Sequence, residues 1–347
     1  MWQRSRRDPR SWGRRTGVAV ALAAVSAAGV TGCTSQRYWG GSSTTAGGQA
    51  VIGLVTKTDT NPYFVALREA AQGEATKLGA RLSAQAGRFD GDNDGQVTAV
   101  ENLMQRGVNT ILITPSNATG VLNVITQARQ RGIMVIALDT ETKPADAVDA
   151  TFATDNTAAG RQQGAYVKGV LAGAPPRLLM LDGTPGATVD TQRHNGFLQG
   201  IGLTDDSPAI LGRQSVNGEQ NLAQQGAENL LQRAVDVNSI YTLNEPTARG
   251  AFSALRARGL TGQVVIGSID GGCQGVRDVR DGRYAATVMQ FPVKMAQLAV
   301  DAAVEFARSG HKPSGFHDTG SKVITDRPVP GVESADTAWG LRNCWGT

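Results

Sequence analysis

Residues 51–64, VIGLVTKTDTNPYF, place an amide and two aromatic rings directly after an apolar, β-branched run. Asn61 offers a hydroxyl group both a donor and an acceptor, and Tyr63 and Phe64 offer apolar faces. That combination suits a polyhydroxylated ligand. Pro62 fits a first helical turn, where its missing N–H is no loss, and Leu67, Ala70, Ala71, Ala75 and Leu78 continue with helical spacing. The turn therefore lies at the carboxyl end of a strand, where open α/β sheets hold their ligands. The plainer alternative is a helix start whose rings pack in the core.

A second cluster has the spacing of a calcium loop. Asp90-Gly-Asp92-Asn-Asp94-Gly95, followed by Glu101, puts carboxylates at the first, third, fifth and twelfth places and glycine at the sixth. An EF-hand needs a helix before that loop, whereas a strand pattern (81–86, RLSAQA) precedes it here. We therefore read a strand-to-helix turn whose acids cap the helix and favour its positive end, with calcium as the alternative. His194, His311 and His317 lack metal-ligand spacing, and neither a metal nor another cofactor is expected. No G-x-S-x-G elbow, P-loop or nucleophile-plus-base pattern occurs, so no enzymatic activity is expected.

These residues hang on a strict alternation of strand and helix patterns. Strands are expected at 51–56, 81–86, 110–113 and 133–138, with amphipathic helices near 62–79, 96–106 and 118–131. The series restarts with strands at 177–181, 208–212, 239–243, 263–268 and 285–289. Short apolar strands alternating with longer helices argue for parallel sheets. Two such series argue for an α/β protein of two doubly wound parallel-sheet lobes joined by a hinge, with a ligand in the crevice between them.

The first 33 residues read as an address. Six arginines precede the apolar run 18–25, which is too short for a permanent bilayer span. Val30-Thr31-Gly32-Cys33 resembles a bacterial lipobox, so Cys33 is the expected lipid attachment and the protein would sit outside the cytoplasm, anchored to the membrane. A plain signal peptide is the alternative. Residues 34–50, rich in Gly, Ser and Thr, read as a flexible tether. The chain carries 34 basic and 30 acidic residues, but residues 1–33 hold six of the former and one of the latter, leaving 28 against 29, a formal −1. The basic balance belongs to the leader, and a nucleic-acid partner loses its electrostatic support.

The segments VIGLVTKTDTNPYF, ILITPSN (111–117), VIALD (135–139), FATDN (152–156), RHNGF (193–197), TLNEP (242–246), SIDGG (268–272) and MQFP (289–292) occur in the order seen in ribose-binding-type periplasmic proteins. The chain thus resembles the substrate-capture subunits of ABC importers for monosaccharides, with the type I periplasmic binding protein fold. TKT-x-TNP, TLNEP, DGGC, DTG (318–320) and GLRNCWG (340–346) look most like the fructose-binding branch. The resemblance implies an N-terminal lobe of 51–150 plus about 291–312, and a C-terminal lobe of 151–290 plus about 313–347. It implies a monomer that binds a sugar and docks on a membrane permease.

The same resemblance implies the ligand set: Lys57, Asn61, Tyr63, Phe64, Asp139, Thr140, Arg193, Asn217, Asn244, Asp270 and Gln290. Carboxylate, guanidinium and amide planes suit vicinal diols, since each engages two oxygens in fixed geometry. Singly, each could be a helix cap or an ion pair. The chain departs from the ribose-binding pattern at four places. Lys57 replaces a small hydroxyl residue and Thr140 an arginine, and the phenylalanines of ribose binders fall near Asn217-Gly218 and on Ile269. Ribose becomes less favoured than a ketohexose or polyol. Lys57 either faces the ligand or is held by Asp59 or Asp139. A glycosidase using Asp139 and Asp270 is disfavoured because the two fall in opposite lobes. A sugar sensor for a membrane receptor stays open. Cys273 and Cys344, in an exported domain, are expected to form a disulfide that ties down the chain end, the alternative being two free thiols.

Overall fold

A computed structural model describes residues 47–346. The leader, Cys33 and most of the tether lie outside the described residues. In chain order the first lobe builds β1 (Val51–Thr56), α1 (Pro62–Lys77), β2 (Arg81–Ala86), α2 (Asn93–Gln105), β3 (Thr110–Ile113), α3 (Leu122–Gln130), β4 (Met134–Leu138) and β5 (Ala150–Ala153). The second builds α4 (Asn156–Leu171), β6 (Leu178–Asp182), α5 (Thr188–Ile201), β7 (Ile210–Ser215), α6 (Gln220–Leu231) and β8 (Ser239–Thr242). It continues through α7 (Glu245–Ala257), β9 (Val265–Asp270), α8 (Cys273–Arg280) and β10 (Ala286–Met289). The chain then returns through α9 (Pro292–Ser309) and β11 (Gly315–Asp318), and ends in β12 (Lys322–Ile324), β13 (Ser334–Ala335) and α10 (Thr337–Asn343).

Two sheets result, ordered β11-β5-β4-β3-β1-β2 and β13-β12-β10-β9-β8-β6-β7. Every pairing is parallel except β10 with β12. Central strands such as β3 (TILI) and β4 (MVIAL) are buried at every position, as strands covered by helices on both faces must be. The edge strands β2 and β7 carry Arg81, Gln85, Arg213 and Gln214 and are partly exposed.

The expected lobe boundaries need correction. β5, at 150–153, and β11, at 315–318, both belong to the first sheet, where they pair with each other. The chain therefore crosses between lobes near 154–155, 290–291 and 319–321. β5 has only four residues, and β11 (GFHD) is a largely exposed edge without apolar alternation. Neither carries a periodic signal, so both fell outside the strand pattern. Helix α9 follows a second-lobe strand yet packs on the first lobe. Its Met295, Ala296, Ala299, Val300 and Ala303 share a core with Leu67 and Ala71 of α1.

Helices α4 and α5 meet backbone to backbone. A Cβ at Gly160 or Gly164 would lie 2.3 Å or 2.1 Å from the carbonyl oxygens of Arg193 and Phe197, and Gly196 and Gly200 face α4 as closely. Only glycine permits that approach. Its consequence is local: Arg193 is brought against Asn156, the first residue of α4.

Candidate functional site

The carboxyl ends of strands from both sheets converge on a small cavity. The first lobe lines it with Lys57, Asn61, Tyr63, Phe64, Asp90 and Asp139. The rest of the wall is Val189, Arg193, Leu243, Asn244, Asp270 and Gln290. The volume is about 30 Å³, the share of one water molecule in the liquid. Anything larger enters when the lobes part.

Arg193 is the centre of the site. Its side chain is 4% exposed, and its guanidinium lies 3.9 Å from Asp139 of the first lobe and 3.9 Å from Asp270 of the second. Those distances are ion pairs without direct hydrogen bonds. Its hydrogen bonds go elsewhere: Nε donates to Asn156 Oδ1 (2.8 Å) and Nη1 to the Leu243 carbonyl (3.1 Å). The fork is thus aimed and locked by its own lobe while the two carboxylates flank it. Both carboxylates sit on backbone with positive φ, 63° at Asp139 and 148° at Asp270. Non-glycine residues rarely adopt such angles, and they cluster at binding sites where the surrounding structure enforces them.

Asp270 is held from three directions. Its Oδ2 accepts the Glu245 N–H (3.3 Å), its Oδ1 accepts Gln290 Nε2–H (3.1 Å), and the Trp345 indole donates to its carbonyl (3.2 Å). The same indole donates to the Gln290 carbonyl (3.1 Å). Beneath it, the Glu245 carboxylate accepts from Gly271 N–H (2.9 Å) and the Thr287 hydroxyl (2.8 Å). Burial raises the pKa of both Asp270 and Glu245, and the neighbouring Asp270 charge raises Glu245 further. Trp345 also lies edge-on to Tyr63, with ring centroids 5.4 Å apart. The Cys273–Cys344 disulfide and a Cys273 N–H bond to the Trp345 carbonyl (2.9 Å) hold it there.

The first-lobe groups are looser. Lys57 lies 3.8 Å from Asp90, not against Asp59 and not hydrogen-bonded to Asp139. Burial pushes the Asp90 carboxyl up, against the opposing pull of Lys57 and of the Thr184 hydroxyl beside it, with no well-formed hydrogen bond to its Oδ1. Asp139 accepts the Thr140 hydroxyl at 2.9 Å, and Asn156 Nδ2 donates to its carbonyl. Asn61 Oδ1 caps α1 by accepting the Tyr63 N–H (3.0 Å), which leaves only its NH2 toward the cavity. Burial drives the Tyr63 hydroxyl well above its ordinary pKa, so the phenol stays neutral.

Residues 52–312 match the model of a family described as periplasmic binding protein domain. The chain belongs to the periplasmic binding protein family. It is 32% identical over 275 residues to the ribose import binding protein of Salmonella typhimurium, covering 79% of this chain and 90% of that one. It is 26% identical over 274 residues to the D-allose-binding periplasmic protein of Escherichia coli, covering 77% and 88%. A solved ABC transporter solute binding protein from Mycobacterium smegmatis, with bound glycerol, superimposes with a TM-score of 0.74 at 26% identity. That match covers 84% of this chain and 96% of the other. These relatives are binding proteins of transport systems and not enzymes. Membership in the periplasmic binding protein family implies an extracytoplasmic location. Among the described residues no helix is long and apolar enough to cross a membrane.

Measured against this periplasmic binding protein site, nine of the expected residues line the inner cavity: Lys57, Asn61, Tyr63, Phe64, Asp139, Arg193, Asn244, Asp270 and Gln290. Thr140 stands behind Asp139 and orients it. Asn217 lines only the outer mouth of the crevice. Asn244 is largely a cap: its Oδ1 accepts Thr247 N–H and Oγ1–H, and its Nδ2 donates to Gly218. The calcium spacing does not form a coordination loop. Asp92 caps α2 through Gly95 N–H and pairs with Arg88, which holds its carboxyl far below the usual range, while Asp94 and Glu101 are exposed. Sequence reasoning missed Asp90, Val189, Leu243, Asn156, Glu245 and Trp345. FATDN contains Asn156 and TLNEP contains Leu243 and Glu245, so three of these lie in quoted segments, and Trp345 lies in GLRNCWG without a role assigned to it; Asp90 reads as a capping acid with calcium as the alternative.

Proposed function

We propose that this chain is the substrate-binding subunit of an ABC importer, a monomer that captures a monosaccharide between its lobes and presents the closed form to a membrane permease. The observation that carries this reading is the Arg193 fork flanked at 3.9 Å by one carboxylate from each lobe, inside a largely polar crevice to which Tyr63, Phe64, Val189 and Leu243 add apolar faces. A ligand with several hydroxyls can donate to both carboxylates and accept from the amides, which favours the closed form by contacts the open form lacks. Relatives named for ribose and D-allose support a monosaccharide. D-Fructose is the best candidate, on the TKT-x-TNP and TLNEP segments, with another hexose, ribose or a polyol as alternatives. Cys33 is the proposed lipid attachment.

Calorimetry on the mature chain tests the ligand. D-Fructose should bind at micromolar affinity or tighter, about −8 kcal/mol. Tighter binding of another sugar or polyol would replace fructose and keep the function. No heat and no thermal stabilisation with any ketose, aldose or polyol would end it. Metabolic labelling with a tagged fatty acid should mark the wild type and not Cys33→Ala.

A further inference from the structure

A second, much larger space lies outside the inner cavity, between the lobes. Its volume is about 670 Å³, within the range of ordinary ligand pockets. Asn61 and Asp90 line both spaces, so the two are neighbours separated by no more than those two side chains. On the first-lobe side Phe89 presents its ring, 48% exposed. Opposite stand the amides of Asn217, Gln220 and Asn221. An exposed ring facing several amides is chemistry for a sugar ring: an apolar face to stack, and hydroxyls to pair.

The charge on this wall is already engaged, which favours a neutral ligand over a phosphate. Arg88 is paired to Asp92 at 2.7 Å, and Arg249 is held by Asp278 at 3.7 Å and Gln220 at 3.3 Å. Recognition of a phosphate group relies on arginines whose forks are free to engage it. Asp90 adds a second observation. Its carboxylate lies where the two linings meet, facing Lys57 and the Thr184 hydroxyl. A carboxylate has lone pairs to spare beyond those two neighbours, and a ligand hydroxyl at the junction would add a donor to it.

We propose that the outer space is a second glycosyl subsite, so that the protein takes a glycoside or disaccharide with one ring inside and the other against Phe89. This rests on the sugar-binding reading of the inner cavity. The linkage passes Asn61 and Asp90, and the outer ring is neutral.

Calorimetry on the mature chain with D-fructose, with sucrose and inulobiose, and with the glycosides of whichever monosaccharide binds tightest tests it. At least one two-ring ligand should bind as tightly as its monosaccharide or more so. Phe89→Ala and Asn221→Ala, both outside the inner cavity, should weaken that ligand about tenfold while monosaccharide affinity changes less than twofold. Unchanged melting temperatures of the two variants exclude misfolding. Monosaccharide binding without any two-ring binding overturns the subsite alone. So does two-ring binding indifferent to both substitutions. Absence of binding by either class overturns the sugar reading and the subsite together.

Discussion

The two lobes meet the crevice in different states of preparation. On the second lobe most polar groups are already tied, Gln290 Oε1 excepted: Arg193 to Asn156 and Leu243, Asn244 to Thr247 and Gly218, Asp270 to Glu245 and Gln290. On the first lobe Lys57 stands 3.8 Å from Asp90, whose Oδ1 lacks a well-formed hydrogen bond. The second lobe is therefore a fixed template whose ordering cost is met in folding, while the first carries polarity that a ligand can satisfy. Substitutions on the second lobe should disturb fold and binding together, and those on the first lobe chiefly binding.

The strongest way to break that contrast is to loosen the template. Replacing Cys273 and Cys344 by serine opens a loop of 71 residues and should cost about 4 kcal/mol in urea melts, by the chain-entropy estimate. Because Trp345 would no longer be pinned on the carbonyls of Asp270 and Gln290, ligand affinity should fall too. Unchanged affinity in a folded double variant would show that the template holds itself.

Arg193→Ala should weaken ligand binding by about 2 kcal/mol or more and lower stability as well, since it leaves Asp139 and Asp270 without the intervening cation. Asp270→Ala should weaken binding by a similar amount. Intact affinity in both variants would place the binding centre elsewhere.

The pH dependence separates the lobes by titration. His194 of the second lobe lies between Asp182 (2.8 Å) and Asp205 (2.9 Å), and the hydrogen bond to Asp182 does most to raise its pKa to about 8. A raised histidine contributes stability that is complete below its ordinary pKa and lost as pH rises through 8. Solvent screens this half-buried ring, which reduces the contribution to the order of 1 kcal/mol. Denaturant melts at pH 6 and pH 9 should show that loss on top of the one from buried Glu245, whose pKa is raised to about 8, and His194→Gln should reduce the total by the histidine's share. On the first lobe Asp92 has a lowered pKa, so its contribution is present above the ordinary carboxylate range and disappears only as pH falls below it. Acid should therefore withdraw a first-lobe contribution, and alkali a second-lobe one.

The smallest effect belongs to Thr140→Val, which removes one hydrogen bond to Asp139 and should reduce affinity by about 1 kcal/mol or less with little change in the melt. A stability loss as large as that of Arg193→Ala would contradict the division between the lobes.

Legibility followed range along the chain. The strands expected at 51–56, 81–86 and 110–113 occur with those bounds, because apolar runs ended by turns are local signals. The turn at 56–64 was readable for the same reason, including the cap that Asn61 makes on α1. Asp92 kept its capping role against a metal-like spacing because the preceding strand left no entering helix. Asp90 shows the limit. Two residues from that cap, it turns into the crevice toward Lys57, and nothing in its neighbourhood distinguishes it from a solvated loop acid.

By itself the sequence determined the alternation of strands and helices, the turn after β1 that faces the crevice, and a pair of cysteines available to bond. These depend on periodicity, turn residues and side-chain chemistry, all set within a few residues. Only the tertiary structure decided that β5 and β11 join the first sheet and that Trp345 braces Asp270 from 75 residues away, whereas the return of 291–312 to the first lobe was implied by the family resemblance. Each of those contacts joins segments far apart in the chain, and its partner is selected by where the three crossings carry the backbone and by which apolar surfaces remain to be covered.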